Sequence, residues 1–146
     1  MVKAIYFDMD GTLADFYGVE GWLPAIRNAD TTPYKVARPL LNFSALARVL
    51  NRLHRNGYTL GVISWTARDG SDEFNERTAA AKRAWLAKHL PSVQFDTISI
   101  VDYGTPKHEI AGQPDGIIFD DDSRVREAWT GEAFDVDNII EKLKSL

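Results

Sequence analysis

Cysteine is absent from the 146 residues. The chain therefore has no disulfide, no thiolate nucleophile and no cysteine-type zinc site, and the absence suits a reducing compartment. Long apolar runs are missing too. Nothing approaches the roughly 18 residues of a membrane span, and the opening MVKAIYFD has too short an apolar run for a secretory leader. Positive charge is not in excess: a net charge of −4 argues against a protein that mainly grips a nucleic-acid backbone. The three histidines, His54, His89 and His108, show no metal-ligand spacing and are expected at the surface. What remains is ordinary globular composition, 45% apolar and 26% charged, in a chain the right length for one domain with a real core. The expectation is a soluble, cytoplasmic protein.

Apolar patterning gives the order of elements. Residues 3–8 (KAIYFD), 58–64 (YTLGVIS), 95–101 and 116–120 (GIIFD) read as buried strands, with a fifth over 133–136. Phe43, Leu46, Ala47, Leu50 and Leu53 repeat at helical spacing, and Asn56-Gly57 stops that helix. Residues 67–75 read as a loop, 76–90 and 123–129 as helices. A last helix is capped by Asp137, with Ile139, Ile140 and Leu143 facing inward. Trp85 and Trp129 are expected in the core. Residues 14–39 carry three prolines and two glycines without a sustained period, and read as an irregular insert with one short helix. Strands alternating with helices predict an α/β, three-layer Rossmann-like sandwich: a mainly parallel sheet of about five strands in a single domain over 1–146, capless or with residues 14–39 as a minimal flap.

The polar residues of interest fall at strand ends. In YFDMDGTLAD, residues 6–15, Asp8 and Asp10 follow an apolar strand directly. Like charges this close repel, and burial penalises both, so a cation must meet them or one carboxyl must stay neutral. Ser64 ends the second strand, Asp120 and Asp121 end the fourth, and Lys107 lies on the loop before it, on a segment that can begin a short helix. Ligands of open parallel sheets bind beyond the carboxyl ends of the strands, so these groups are expected on one rim. Asp8 and Asp120 could share a hard divalent cation such as Mg2+ there. Asp120 to Asp122 also suit the N-cap of the following helix. Lys82 competes with Lys107 for the cationic role, but stands mid-helix among alanines and reads as solvated, as does Arg124.

Together these motifs resemble the haloacid dehalogenase superfamily of phosphohydrolases: Asp8-Met9-Asp10-Gly11-Thr12 for its first motif, Ser64 for the second, Lys107 for the third, and the Asp120-Asp121 pair for the fourth. The resemblance implies a magnesium-dependent phosphatase. Asp8 would be the nucleophile and form an aspartyl phosphate. Asp10 would act as general acid and base, its backbone carbonyl also reaching the metal. Ser64 would hydrogen-bond the phosphoryl group, Lys107 would neutralise it, and Asp8, Asp10, Asp120 and Asp121 would hold Mg2+. Gly11, Thr12, Phe16, Trp22, Trp65 and Thr66 would line the substrate.

Within that superfamily the chain is most similar to small 5′-nucleotidases of the deoxyribonucleotidase type, through Ala14-Asp15-Phe16, residues 82–91 (KRAWLAKHLP) and Phe119-Asp120-Asp121. The aromatics Phe16, Tyr17 and Trp22, with Trp65 facing them, would then stack a nucleobase, or simply pack the flap. The implied substrate is a small phosphorylated metabolite, such as a nucleoside monophosphate. The alternatives are a phosphatase for nucleic-acid ends or phosphoproteins, and a non-catalytic phospho-acceptor of the receiver type.

Overall fold

The computed structural model describes residues 3–146; Met1 and Val2, the start of the segment read for a leader, lie outside the described residues. Strands β1 (Ala4–Phe7), β2 (Thr59–Trp65), β3 (Thr97–Val101), β4 (Ile117–Phe119) and β5 (Ala133–Phe134) form one sheet. The helices are α1 (Trp22–Arg27), α2 (Thr32–Val36), α3 (Phe43–Arg55), α4 (Asp72–His89), α5 (Lys107–Ile110), α6 (Ser123–Ala128) and α7 (Ile139–Lys144). Every strand pairing is parallel, in the order β3-β2-β1-β4-β5. The chain leaves β1 toward one edge and returns to its other side at β4. The crevice that opens at such a reversal is where α/β sheets bind ligands.

Alternation along β1 builds the layers. Ile5 and Phe7 enter a large core with Leu46, Leu50 and Leu53 of α3, Trp85 and Leu86 of α4, and Ile139 and Leu143 of α7. Ala4 and Tyr6 point the other way, to Ile118, Val125 and Trp129. Side chains of successive strand residues face opposite sides, so a sheet covered on both faces reads as a continuous apolar run. Asn42 caps α3 by accepting from the Ala45 N–H, and Gly57, at φ +95°, follows its end.

Three local expectations need correction. Helix α4 begins at Asp72, inside the segment read as a loop, because Ser71 caps it: its Oγ accepts from the Phe74 N–H at 3.1 Å, with Asp72 and Glu73 in the favourable first turn. Helix α7 is entered through Asn138 in a left-handed conformation at φ 61°, with no side-chain cap from Asp137; asparagine tolerates that region and aspartate was one residue too early. The insert holds two short helices, α1 and α2, the second with proline in its first turn. Its base is tied by an antiparallel bridge between Ala14 and Pro39. Phe16 and Tyr34 join Phe74 and Ala81 of α4 in a separate small core, so the insert packs on α4. Among the described residues no helix is long and apolar enough to cross a membrane.

Candidate active site

A cleft of about 1010 Å³ opens at the carboxyl ends of β1, β2 and β4. Its floor is set by β1. The Asp8 N–H donates to the Phe119 carbonyl at 3.0 Å, which locks the first residue past β1 against the end of β4 and brings Asp8 beside Asp120. The chain then turns tightly: the Met9 carbonyl accepts from the N–H groups of Thr12, Leu13 and Ala14. Gly11 makes the turn at φ +81°, and a Cβ there would overlap the Asp121 carboxylate. Glycine is required both by the backbone and by the close approach.

Two buried lysines divide the polar groups. Lys107, the first residue of α5, donates to Asp8 Oδ1 at 2.9 Å and Asp120 Oδ2 at 2.7 Å. Thr12 Oγ1 donates to the other Asp8 oxygen at 3.0 Å. Burial alone would push Lys107 down, but the Asp8 and Asp120 carboxylates outweigh it and hold the ammonium above the ordinary lysine range. Lys82 is the second cation, 1% exposed, and this overturns its reading as a solvated residue. It donates to Asp10 Oδ2 at 2.9 Å, Ser64 Oγ at 2.7 Å and the Trp65 carbonyl at 2.8 Å. A signal for it existed. Phe74, Thr78, Ala81 and Trp85 are all buried, and Lys82 lies on that helical stripe.

The Asp10 carboxylate is consequently anchored by Lys82, apart from the acidic cluster. Among the described residues, Asp8, Asp120 and Asp121 bring one oxygen each within 4.8 Å of one another, and the Asp10 side chain is not in that group. Asp122 is committed elsewhere: it caps α6 and holds the Arg124 guanidinium through two contacts, and it lies below the ordinary carboxyl range for that reason. Burial and the Asp8 charge push Asp120 up to about 6. Desolvation and a hydrogen bond with Asp8 push Asp121, at the rim, up to about 8. Burial raises Asp10 as well, with Lys82 offsetting only part of the effect. The oxygens that Asp8, Asp120 and Asp121 bring together are a donor set of hard oxygens fit for Mg2+.

This crowding gives a pH signature. Folded Asp120 and Asp121 keep protons that an unfolded chain loses near pH 4. The folded state then holds more protons between about pH 4 and 8, so cation-free stability should fall as pH rises through that window. His89, which burial holds below its ordinary value, contributes with the opposite sign near pH 6. The quantity to measure is therefore the difference between wild type and Asp121→Asn in chelator, by denaturant titration. Wild type should lose the advantage of low pH more steeply than the variant, and Mg2+ should abolish the difference. An identical pH dependence would contradict the crowding.

The walls are aromatic. Tyr17, 54% exposed, and Trp22 stand 5.1 Å apart edge to face on the insert side. Trp65 and Tyr103 stand 5.1 Å apart on the other, with Trp65 fixed by its indole N–H to the Thr105 carbonyl at 2.8 Å. Phe16 lines the cleft with little open surface, stacked on Tyr34 at 4.7 Å, so its main work is packing. Thr66 is buried at the cleft with its hydroxyl unpartnered. Arg124 is exposed, as read from the sequence, and Tyr103, which the sequence reading passed over, completes the wall.

No family model matches the chain, and no curated protein does. Among solved structures it is similar to D,D-heptose 1,7-bisphosphate phosphatase from Burkholderia thailandensis, at 17% identity, over 86% of this chain and 70% of that one, with a TM-score of 0.53. At that identity the likeness establishes a shared α/β fold with a parallel five-stranded sheet.

Proposed function

We propose that the chain is a magnesium-dependent phosphatase that hydrolyses a small phosphate monoester through phosphorylation of Asp8. The observation that carries this is the division of Asp8 and Asp10 between two cations: Lys107 holds Asp8 in the acidic cluster, while Lys82 anchors Asp10. Two carboxylates in different surroundings suit different roles, one as nucleophile and one as acid and base. The structural neighbour's name, a phosphatase, supports the reaction class and leaves the substrate open.

Asp8 attacks phosphorus along the line of the leaving oxygen, and Asp10 protonates that oxygen. Asp10 then takes a proton from the water that attacks the phosphoryl group on Asp8. Ser64 donates to a phosphoryl oxygen, and Lys107 balances the charge gathered at Asp8. Mg2+, held by Asp8, Asp120 and Asp121 with the Asp10 backbone carbonyl, would supply charge neutralisation for the phosphoryl oxygens. Strand order argues against the receiver-type alternative, whose fold runs 2-1-3-4-5 where this sheet runs 3-2-1-4-5.

For the substrate, the facing pairs Tyr17–Trp22 and Trp65–Tyr103 favour a flat group, and the reading is a nucleoside monophosphate. The test compares nucleoside monophosphates with ribose 5-phosphate and an aryl phosphate, with Mg2+, in wild type, Tyr17→Ala and Trp22→Ala. Stacking worth roughly 1–3 kcal/mol corresponds to a preference of roughly 5–150-fold for nucleotides, which the substitutions should remove while sparing the sugar phosphate. Equal losses on every substrate would leave the rings as packing. No phosphate release from any of them would overturn the phosphatase reading.

A further inference from the structure

We infer that Lys82 is a positioning residue: a single ammonium that fixes both the Asp10 carboxylate and the Ser64 hydroxyl in the orientations phosphoryl transfer needs. The inference rests on the phosphatase reading above and goes beyond it, because nothing in the four motifs calls for a second buried lysine.

The argument is one of donors and acceptors. An ammonium has three N–H donors and no acceptor. Those of Lys82 are all engaged, by Asp10 Oδ2, Ser64 Oγ and the Trp65 carbonyl. Since Lys82 can only donate, Ser64 Oγ must accept, and its own hydrogen is left for another partner. Ser64 lines the cleft, where a phosphoryl oxygen is the acceptor to expect. Asp10 is treated alike. Its Oδ2 is anchored, whereas its Oδ1 has no hydrogen bond among the described residues and is left for the leaving oxygen. Lys82 thus sets one group that stabilises the phosphoryl oxygens and one that protonates the departing ester, while Lys107 sets the nucleophile and the acidic cluster.

The surroundings hold the ammonium in place. The Tyr34 ring lies 5.0 Å from its nitrogen, and Phe16 stacks behind Tyr34, so the insert seals the lysine from water. An ion this buried is costly, and a merely structural link between α4 and β2 is commonly served as well by an apolar side chain. Three donors aimed at one backbone carbonyl and two groups of the site point to chemistry.

The test is the leaving-group dependence of kcat/KM, which reports the steps up to transfer onto Asp8. Lys82→Met keeps much of the stem and removes the donors. On 4-nitrophenyl phosphate, whose leaving oxygen needs little protonation, the variant should lose roughly tenfold through Ser64. On an alkyl phosphate it should lose about 10²–10⁴-fold, the usual worth of general acid help. On the nitrophenyl ester, Ser64→Ala added to Lys82→Met should cost little more than either alone. Mg2+ should raise the Tm of the variant as it does that of wild type, because Lys82 touches none of Asp8, Asp120 and Asp121. If Lys82→Met does not fold, Lys82→Gln, neutral and shorter, gives the same readout. A uniform loss across all esters, or no loss, would overturn the positioning role. Wild type inert toward every ester would instead overturn the phosphatase reading beneath it.

Discussion

Asp8→Asn should reduce phosphate release by roughly 10⁴–10⁶-fold, the scale on which covalent hydrolases lose activity without their nucleophile. Asparagine keeps the shape of the side chain and an oxygen for the Lys107 ammonium, now 2.9 Å from Asp8 Oδ1. An amide oxygen is too weak a nucleophile to attack phosphorus, so the loss is chemical and not structural. Asp10→Asn removes acid–base help and should cost less, about 10²–10⁴-fold. Phosphate release at saturating substrate, with Tm measured alongside, separates the cases. An Asp8→Asn protein that folds and keeps near-normal turnover would displace Asp8 from its role.

Lys107→Met should be the most destabilising single change in the site. Lys107 is 4% exposed and is shared by Asp8 and Asp120, themselves buried. Removing one partner from a buried ion pair typically costs about 3–5 kcal/mol, because a charge is left uncompensated. Here the acidic cluster of Asp8, Asp120 and Asp121 would lose its only ammonium contact among the described residues. Denaturant titration should show a loss of that size in chelator, with part of it recovered on adding Mg2+, and activity should fall with it. A variant within about 1 kcal/mol of wild type in chelator would mean that the carboxylates tolerate each other without the lysine.

The acidic side of this site was legible in the chain, and the reason is local. An apolar run that stops at Asp8, at Ser64 or at Asp120 declares a strand end, and a parallel sheet gathers strand ends on one rim. Lys107 was legible through its loop position before β4. Lys82 was harder to read, because its alanine neighbours say nothing about which way a helix faces. Only the stripe through Phe74, Thr78, Ala81 and Trp85 shows that it turns inward. The insert was hardest to read. Its rings could pack or bind, and the choice was made by α4, distant in the chain, which takes Phe16 and Tyr34 into a small core and leaves Tyr17 at the cleft. Helix starts failed for a narrower reason: Ser71 and Asn138 are one-residue signals, and neighbouring acids at Asp72 and Asp137 compete with them on paper.

The central claim is that the phosphoryl group passes through a carboxylate of the protein before it reaches water. The stereochemistry at phosphorus tests this directly. A phosphorothioate monoester made chiral with oxygen isotopes, hydrolysed with Mg2+ in isotopically labelled water, gives a product of readable configuration. Two in-line displacements, first by Asp8 and then by water, predict net retention. Net inversion would mean that water attacks the substrate in a single step, and it would contradict the account.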